Sequence, residues 1–274
     1  MRSLVVFAGS YLVLAAAPAM AAKYESFDSA ASSAAHGWSA VGNGVDDQTV
    51  GWSATNAAGG AVGEAQFSVK RGVQASYADG NLGLTLNGNG AFSMTGKLTV
   101  AALSGTPDTG NPPALGFFSS ATEFIGITFR GDFDDLGNDL AWGLRFATTG
   151  DGLRIASGGD ASRKLSLNVP RTFSLSYDPA AGAFGVVTAE VSGAGSPIVS
   201  ALSEGNRDLL NGVAFSSAGL IKQAVGAAPN GMDLRLDDLT YTGNAIPEPT
   251  TLTISLLGLA SSMRLARRVH RDKA

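Results

Sequence analysis

The densest cluster of side chains able to do chemistry is "GDFDDLGND" (131–139), with Asp132, Asp134, Asp135 and Asp139 beside Asn138. Hard oxygens converging from a loop are what a calcium ion takes. The spacing opens like an EF-hand, Asp-x-Asp-x-x-Gly, but Leu136 stands at the fifth position and Gly143 at the twelfth, where oxygen ligands are needed. The segment therefore reads as an acidic hairpin loop, with calcium as its one candidate ligand and no other cofactor implied. The histidines are His36 and His270. A Ser-His-Asp triad in the body of the chain would have to use His36, and no G-x-S-x-G elbow presents a serine to it, so His36 reads as a loop residue. Glu64, Glu123 and Glu190 stand singly in separate segments and read as solvent-facing. Cysteine is absent, which excludes thiol catalysis, disulfides and thiolate metal sites. No P-loop or dinucleotide fingerprint follows a strand. Trp38 and Trp52 lie in Gly/Asn-rich stretches, "HGWSAVGNG" and "VGWSATNAAGG". Exposed there, they would offer flat apolar faces to sugar rings; packing into core or loop is the alternative. Trp142 alternates with Leu140, Leu144 and Phe146 and reads as core.

The elements that must position these residues are strands. In "FSMTGKLTV", Phe92, Met94, Leu98 and Val100 share one face, and Ser93, Thr95, Lys97 and Thr99 the other. "FIGITFR", "LAWGLRF" and "RTFSLSYD" alternate in the same way, and Gly/Asp/Asn/Pro clusters separate the runs. Helical periodicity is confined to a short turn around Asn206–Leu210. In "MDLRLDDLTYTG", Met232, Leu234 and Leu236 share a phase that Leu239 and Tyr241 do not, so a β-bulge is expected at Asp237–Asp238. Gly numbers 36 of 274 residues and charged residues 15%, which suits turn-rich β structure better than a helical bundle. The expected fold is all-β: a two-sheet antiparallel jelly-roll sandwich over 22–245, with an N-terminal signal helix and a C-terminal hydrophobic helix.

The two ends read as addresses. Arg2 precedes an apolar run that closes on Ala19-Met20-Ala21, the small-x-small pattern of signal peptidase, so residues 1–21 are expected to be removed and the mature chain to begin at Ala22. At the other end (246–274), Pro247-Glu248-Pro249 must be extended. It is followed by the apolar Thr251–Met263 and by Arg264, Arg267, Arg268 and Arg271. Positive charge beyond an apolar run stays cytoplasmic, so the body is expected to face out. Setting aside Arg2 and the tail leaves 13 basic against 21 acidic residues, a body of net charge −8. Such a body repels phosphate polymers, and no nucleic-acid partner is expected.

Ile246-Pro-Glu-Pro-Thr250, a Leu/Gly-rich segment and Arg267-Arg268 in that order resemble the PEP-CTERM sorting signal of Gram-negative bacteria. The resemblance covers under a tenth of the chain. It implies recognition of Pro247, Glu248 and Pro249 by an exosortase, a membrane protease or transpeptidase, and removal of the tail after transient anchoring in the inner membrane. Here the apolar run carries Thr251, Thr253, Ser255, Ser261 and Ser262, and the basic end runs on through His270, Arg271 and Lys273. A tail anchor that is never cut is the alternative. "YESFD" (24–28) with the closing strand resembles the layout of concanavalin A-like/LamG-like jelly rolls, whose first and last strands pair. Glycosidases of that fold class carry a tight Glu-x-Asp-x-(x)-Glu strand pattern, which this chain lacks. Together these imply an exported, non-enzymatic surface or matrix protein whose best ligand is an exopolysaccharide. A divergent glycoside hydrolase or lyase and a purely structural or adhesive protein are the alternatives.

Overall fold

The computed structural model describes residues 21–70, 72, 74–82, 86–104, 112–130, 140–149, 152–158, 162–223 and 231–243. The strands in chain order are β1 (Ala21–Glu25), β2 (Trp38–Val41), β3 (Thr49–Ser53), β4 (Glu64–Lys70), β5 (Ala75–Asp79), β6 (Phe92–Ser104), β7 (Ala114–Ser120) and β8 (Glu123–Arg130). They continue as β9 (Leu140–Thr148), β10 (Gly152–Gly158), β11 (Lys164–Leu165), β12 (Arg171–Asp178), β13 (Val186–Val191), β14 (Ile198–Ala201), β15 (Ser217–Lys222) and β16 (Gly231–Gly243). They form two antiparallel sheets. The first runs β14-β13-β12-β6-β16-β4-β3, with β1 also on β16; the second runs β10-β9-β8-β7-β15-β5-β2, with β11 on β9. The expected all-β sandwich is what the chain forms.

Its core follows from the period-two patterning. Phe92, Met94 and Leu98 of β6, Phe173, Leu175 and Tyr177 of β12, and Ile125 and Ile127 of β8 are all buried between the sheets. The rings of Phe92 and Phe117 meet edge-on across the two sheets at 5.2 Å. Trp142 is fully buried and donates its indole N–H to the Ala194 carbonyl at 2.6 Å.

Strand β16 organises the first sheet. From Gly231 to Leu236 its flank is β4; from Leu239 to Gly243 it is β1. The hand-over coincides with a register shift against β6 between Asp237 and Thr240, the expected bulge. Asp238 there adopts φ 50°, the left-handed region that Asp tolerates better than most residues. The bulge lets Leu234, Leu236, Leu239 and Tyr241 all turn inward despite their mismatched phase. The first and last strands of the described body pair, with Tyr24 opposite Thr240.

Two short helices complete the body. Helix α2 (Glu204–Gly212) overlaps the expected turn and is longer, because the Ser203 side chain caps it by accepting from Asn206 N at 3.3 Å and Leu210 anchors it in the core. Helix α1 (Ala30–Ala35) has no apolar periodicity; the Ser29 side chain caps it, accepting from Ser32 N at 3.0 Å. Among the described residues no helix is long and apolar enough to cross a membrane. The terminal segments expected as helices lie outside them.

Candidate functional site

The outward face of the first sheet is laid with hydroxyls. Outward positions of β16, β6, β12 and β13 fall in cross-strand rows because the registers are regular beyond the bulge. One row runs Tyr24–Thr240–Thr95–Ser174–Glu190. The next pairs Ser93 with Ser176 and Ser176 with Thr188, and continues to Thr242, whose hydroxyl accepts from Ser93 N at 2.8 Å. Strand geometry sets these side chains on a lattice of roughly 4.8 Å between strands and 6.8 Å along them. Each hydroxyl donates and accepts.

At the β1 edge of this lattice stands Tyr24, 58% exposed. Its hydroxyl donates to Asp238 Oδ1 at 2.8 Å, and Asp238 Oδ2 lies 2.7 Å from Lys97 Nζ. The bulge supplies this geometry, since it turns Asp238 outward between β1 and β6. Donation to Asp238 pushes the Tyr24 hydroxyl up to about 12, with burial and the charges of Asp238, Asp237 and Asp28 adding. Asp238 is held below the usual carboxylate range by Lys97 and then by Tyr24. The tyrosine hydroxyl is thereby tied to the sheet while most of the residue stays exposed. An aromatic face beside ordered hydroxyls is an arrangement suited to a sugar ring, whose C–H face is apolar and whose rim donates and accepts.

Where β1 gives way to β4, the Gly-rich loop 54–63 lies over two carboxyls that are 0% exposed, Glu64 and Asp237. Glu64 accepts from the Thr55 hydroxyl, from Ala58 N at 2.8 Å and from Arg235 Nη1 at 3.0 Å. Arg235 in turn grips Asp233 with two bonds, Nε to Oδ1 at 2.8 Å and Nη2 to Oδ2 at 2.7 Å. Asp237 accepts Asp238 N on Oδ1 at 2.8 Å, while Oδ2 has no partner. Burial pushes its carboxyl up to about 6, with the charges of Asp238 and Glu64 adding and the Asp238 N–H and Lys97 opposing. Gly60 rests on Oδ2 so closely that a Cβ there would sit 1.5 Å away. Lys97 reaches over to the Gly59 carbonyl at 3.1 Å. Glycoside hydrolysis needs two carboxyls open to a substrate, but the loop covers both Glu64 and Asp237, and Glu64 is saturated by its partners. Glu64 pins the loop through Thr55 and Ala58, and neither carboxyl is open to solvent.

The expected site residues are dispersed. Trp38 is 4% exposed, packed edge-on to Phe27 at 4.8 Å and close to Tyr77 and Tyr241, so its ring belongs to the core and is not open to a sugar. It starts β2 opposite Asp79, and that register turns it inward. Trp52 is partly buried against the core and its indole N–H is taken by the Phe27 carbonyl at 2.6 Å. Glu64, expected in solvent, is buried because the loop after β3 folds back over it. His36 closes α1; its side chain is 47% exposed and its Nδ1 lies 2.8 Å from Glu25 Oε2. Glu25, fully buried, also accepts from Phe27 N and Ser33 Oγ. The serine at this pair, Ser33, donates to the Glu25 carboxylate and not to the imidazole. Asp132, Asp134, Asp135 and Asp139 lie outside the described residues, as do Ala19, Pro247, Glu248, Pro249, Arg267 and Arg268. Among the described residues no group of three or more His, Cys, Asp or Glu could hold a metal. An open groove of about 110 Å³ lies at the far end of the same sheet, lined by Asp47, Ser68, Lys70, Leu103, Met232 and Asp233. It is well under the roughly 300 Å³ at which small-molecule pockets begin.

No protein-family model matches the chain, and no curated protein matches it by sequence. Solved structures match it in fold. Peanut lectin, with a nine-residue peptide, superposes with a TM-score of 0.50 over 81% of this chain and 97% of the lectin, at 10% identity. An alginate lyase Aly36B mutant in complex with alginate tetrasaccharide gives 0.46, over 80% and 92%, at 6% identity. An endo-beta-1,4-glucuronan lyase from the fungus Trichoderma reesei gives 0.45, over 73% and 89%, at 9% identity. The body is thus a lectin-like jelly roll. The expectation of a non-enzymatic protein is corrected at this point: lyases stand among the structures that share the architecture, so the fold gives no ground for excluding catalysis, and that exclusion is withdrawn.

Proposed function

We propose that this protein is exported and engages polysaccharide on the hydroxylated outer face of its first sheet, with Tyr24 as the ring on which a sugar stacks. The observation that carries this is the open Tyr24 face, held by Asp238 at the end of the Thr240–Thr95–Ser174 row. A row of outward polar side chains crossing five strands suits several units of an extended polymer better than one small molecule. Thr240, Thr95 and Ser174 meet sugar hydroxyls, and Asp238 and Lys97 orient the ring at the tyrosine edge. The two addresses belong to the same proposal. Signal peptidase cuts after Ala21, which leaves Ala22–Glu25 in place on β16 and Tyr24 in position. The Pro247-Glu248-Pro249 tail anchors the chain in the inner membrane until an exosortase releases it to the cell surface or matrix of a Gram-negative bacterium.

The test is binding of the full chain to a panel of bacterial and plant polysaccharides, alongside Tyr24→Ala and Tyr24→Phe. Removing the ring is expected to weaken binding about tenfold or more, the scale of one stacked aromatic. Keeping the ring without its hydroxyl should cost only a fewfold. Equal binding by Tyr24→Ala and the parent would sink the assignment. Each bound polymer is also assayed for new chain ends, which reports cleavage directly.

A further inference from the structure

Building on the assignment of the Tyr24 face, we propose that the polysaccharide it takes is uncharged, a neutral sugar polymer, and that uronic-acid polymers are turned away. The inference follows from the partners of every basic side chain on that face. Among the described residues, the basic side chains at outward positions of the first sheet are Lys70, Lys97 and Arg235. Lys70 pairs with Asp47 at 3.1 Å. Lys97 pairs with Asp238 at 2.7 Å and also binds the Gly59 carbonyl. Arg235 is clamped by Asp233 and Glu64. Among the described residues each of these side-chain cations already has an acidic partner, and the α-ammonium that cleavage after Ala21 leaves on Ala22 is the one positive group the mature face adds.

Acid is in excess around them. Glu190 is exposed at the far end of the Tyr24 row, and Asp237 lies beside Asp238 under the loop. Asp238 itself binds the Tyr24 hydroxyl, and its charge, with those of Asp237 and Asp28, raises that hydroxyl. A uronate polymer brings one carboxylate per sugar to a surface where acid outnumbers base, so like charge opposes it. A neutral polymer brings hydroxyls that donate and accept, which matches Thr240, Thr95, Ser174, Ser93 and Ser176 without any charge to compensate. The net charge of the body, −8 between Arg2 and the tail, repels anionic chains at longer range as well.

The deciding experiment measures binding of the full chain to neutral glucan, mannan and galactan and to alginate and polygalacturonate. It is run at low and high salt, with Tyr24→Ala in parallel. The expected result is a neutral polymer bound at least about tenfold more tightly than either uronate, lost in Tyr24→Ala and insensitive to salt, since no ion pair forms. Any residual uronate binding should strengthen as salt screens the repulsion. Tyr24-dependent binding that favours alginate or polygalacturonate and weakens with salt would overturn this inference while leaving the Tyr24 face standing. Binding to none of the polymers in a Tyr24-dependent way would remove the face assignment and this inference with it.

Discussion

Tyr24 and the three tryptophans show how little a residue's type says about its availability. Trp38 and Trp142 carry larger rings than Tyr24, and both are buried. Tyr24 falls on the outward phase of β1 between Lys23 and Glu25, whose side chains turn inward to Asp79 and to His36. The alternation Lys-Tyr-Glu is visible in the chain, but it suggests charges outside and the aromatic inside, the reverse of what forms. Asp237 carries a prediction at this scale. An ordinary carboxyl titrates near 3.9 in an unfolded chain, whereas burial raises this one to about 6 in the folded state. The folded protein therefore holds the proton more tightly. Its contribution favours folding below about pH 4 and is lost as the pH rises through 6. Asp237→Asn keeps an oxygen for the Asp238 N–H and removes the charge that burial penalises. It is expected to raise stability at pH 7 by about 1–2 kcal/mol and to flatten the loss between pH 4 and 6. Denaturant titrations at pH 4, 5, 6 and 7 check both, and a variant less stable than its parent at pH 7 would contradict the assignment.

At the level of elements, the bulge in β16 and the loop 54–63 are one device. The phase slip at Asp237–Asp238 was legible because the same strand carries apolar residues in two opposite registers. That the slip marks the place where β1 and β4 share a neighbour was not legible, since it depends on pairings between residues far apart in the chain. The loop is held by Glu64, whose oxygens collect Thr55, Ala58 and Arg235. Glu64→Ala leaves a buried N–H and part of a guanidinium without an acceptor. It should cost about 3 kcal/mol, between a lost buried bond and a broken buried pair. Hydrogen exchange should then quicken in the loop before it quickens in β6 or β12. A global loss of protection with no preference for the loop would mean that Glu64 supports the sandwich and not the loop.

At the scale of the whole molecule, the proposed topology places the acidic body outside the membrane and the basic tail inside it. If Pro247-Glu248-Pro249 is an exosortase motif, Glu248→Ala should leave export intact and retain the tail. The intact mass of the protein in each cell fraction reads this out directly. A Glu248→Ala protein that matures to the same mass as its parent would show that the tail is not processed through this motif. The body should be indifferent to the change, because β16 ends at Gly243 with Ala21 as its partner.

The all-β class, the inward set of core side chains, the bulge and the sign of the body's charge were all legible in the chain. Each of these rests on local alternation or on a sum over residues, and neither needs to know which strand meets which. Which aromatic is exposed, which carboxyls are buried and which cations are already paired emerged only once the strands were placed. Glu64 and Asp237 stand far apart in the chain and meet because β4 and β16 are hydrogen-bonded neighbours. Tyr24 reaches Asp238 because the first strand pairs with the last. Side-chain availability follows from strand pairing and from the loops that close over it, and pairing is a long-range property that no local pattern carries.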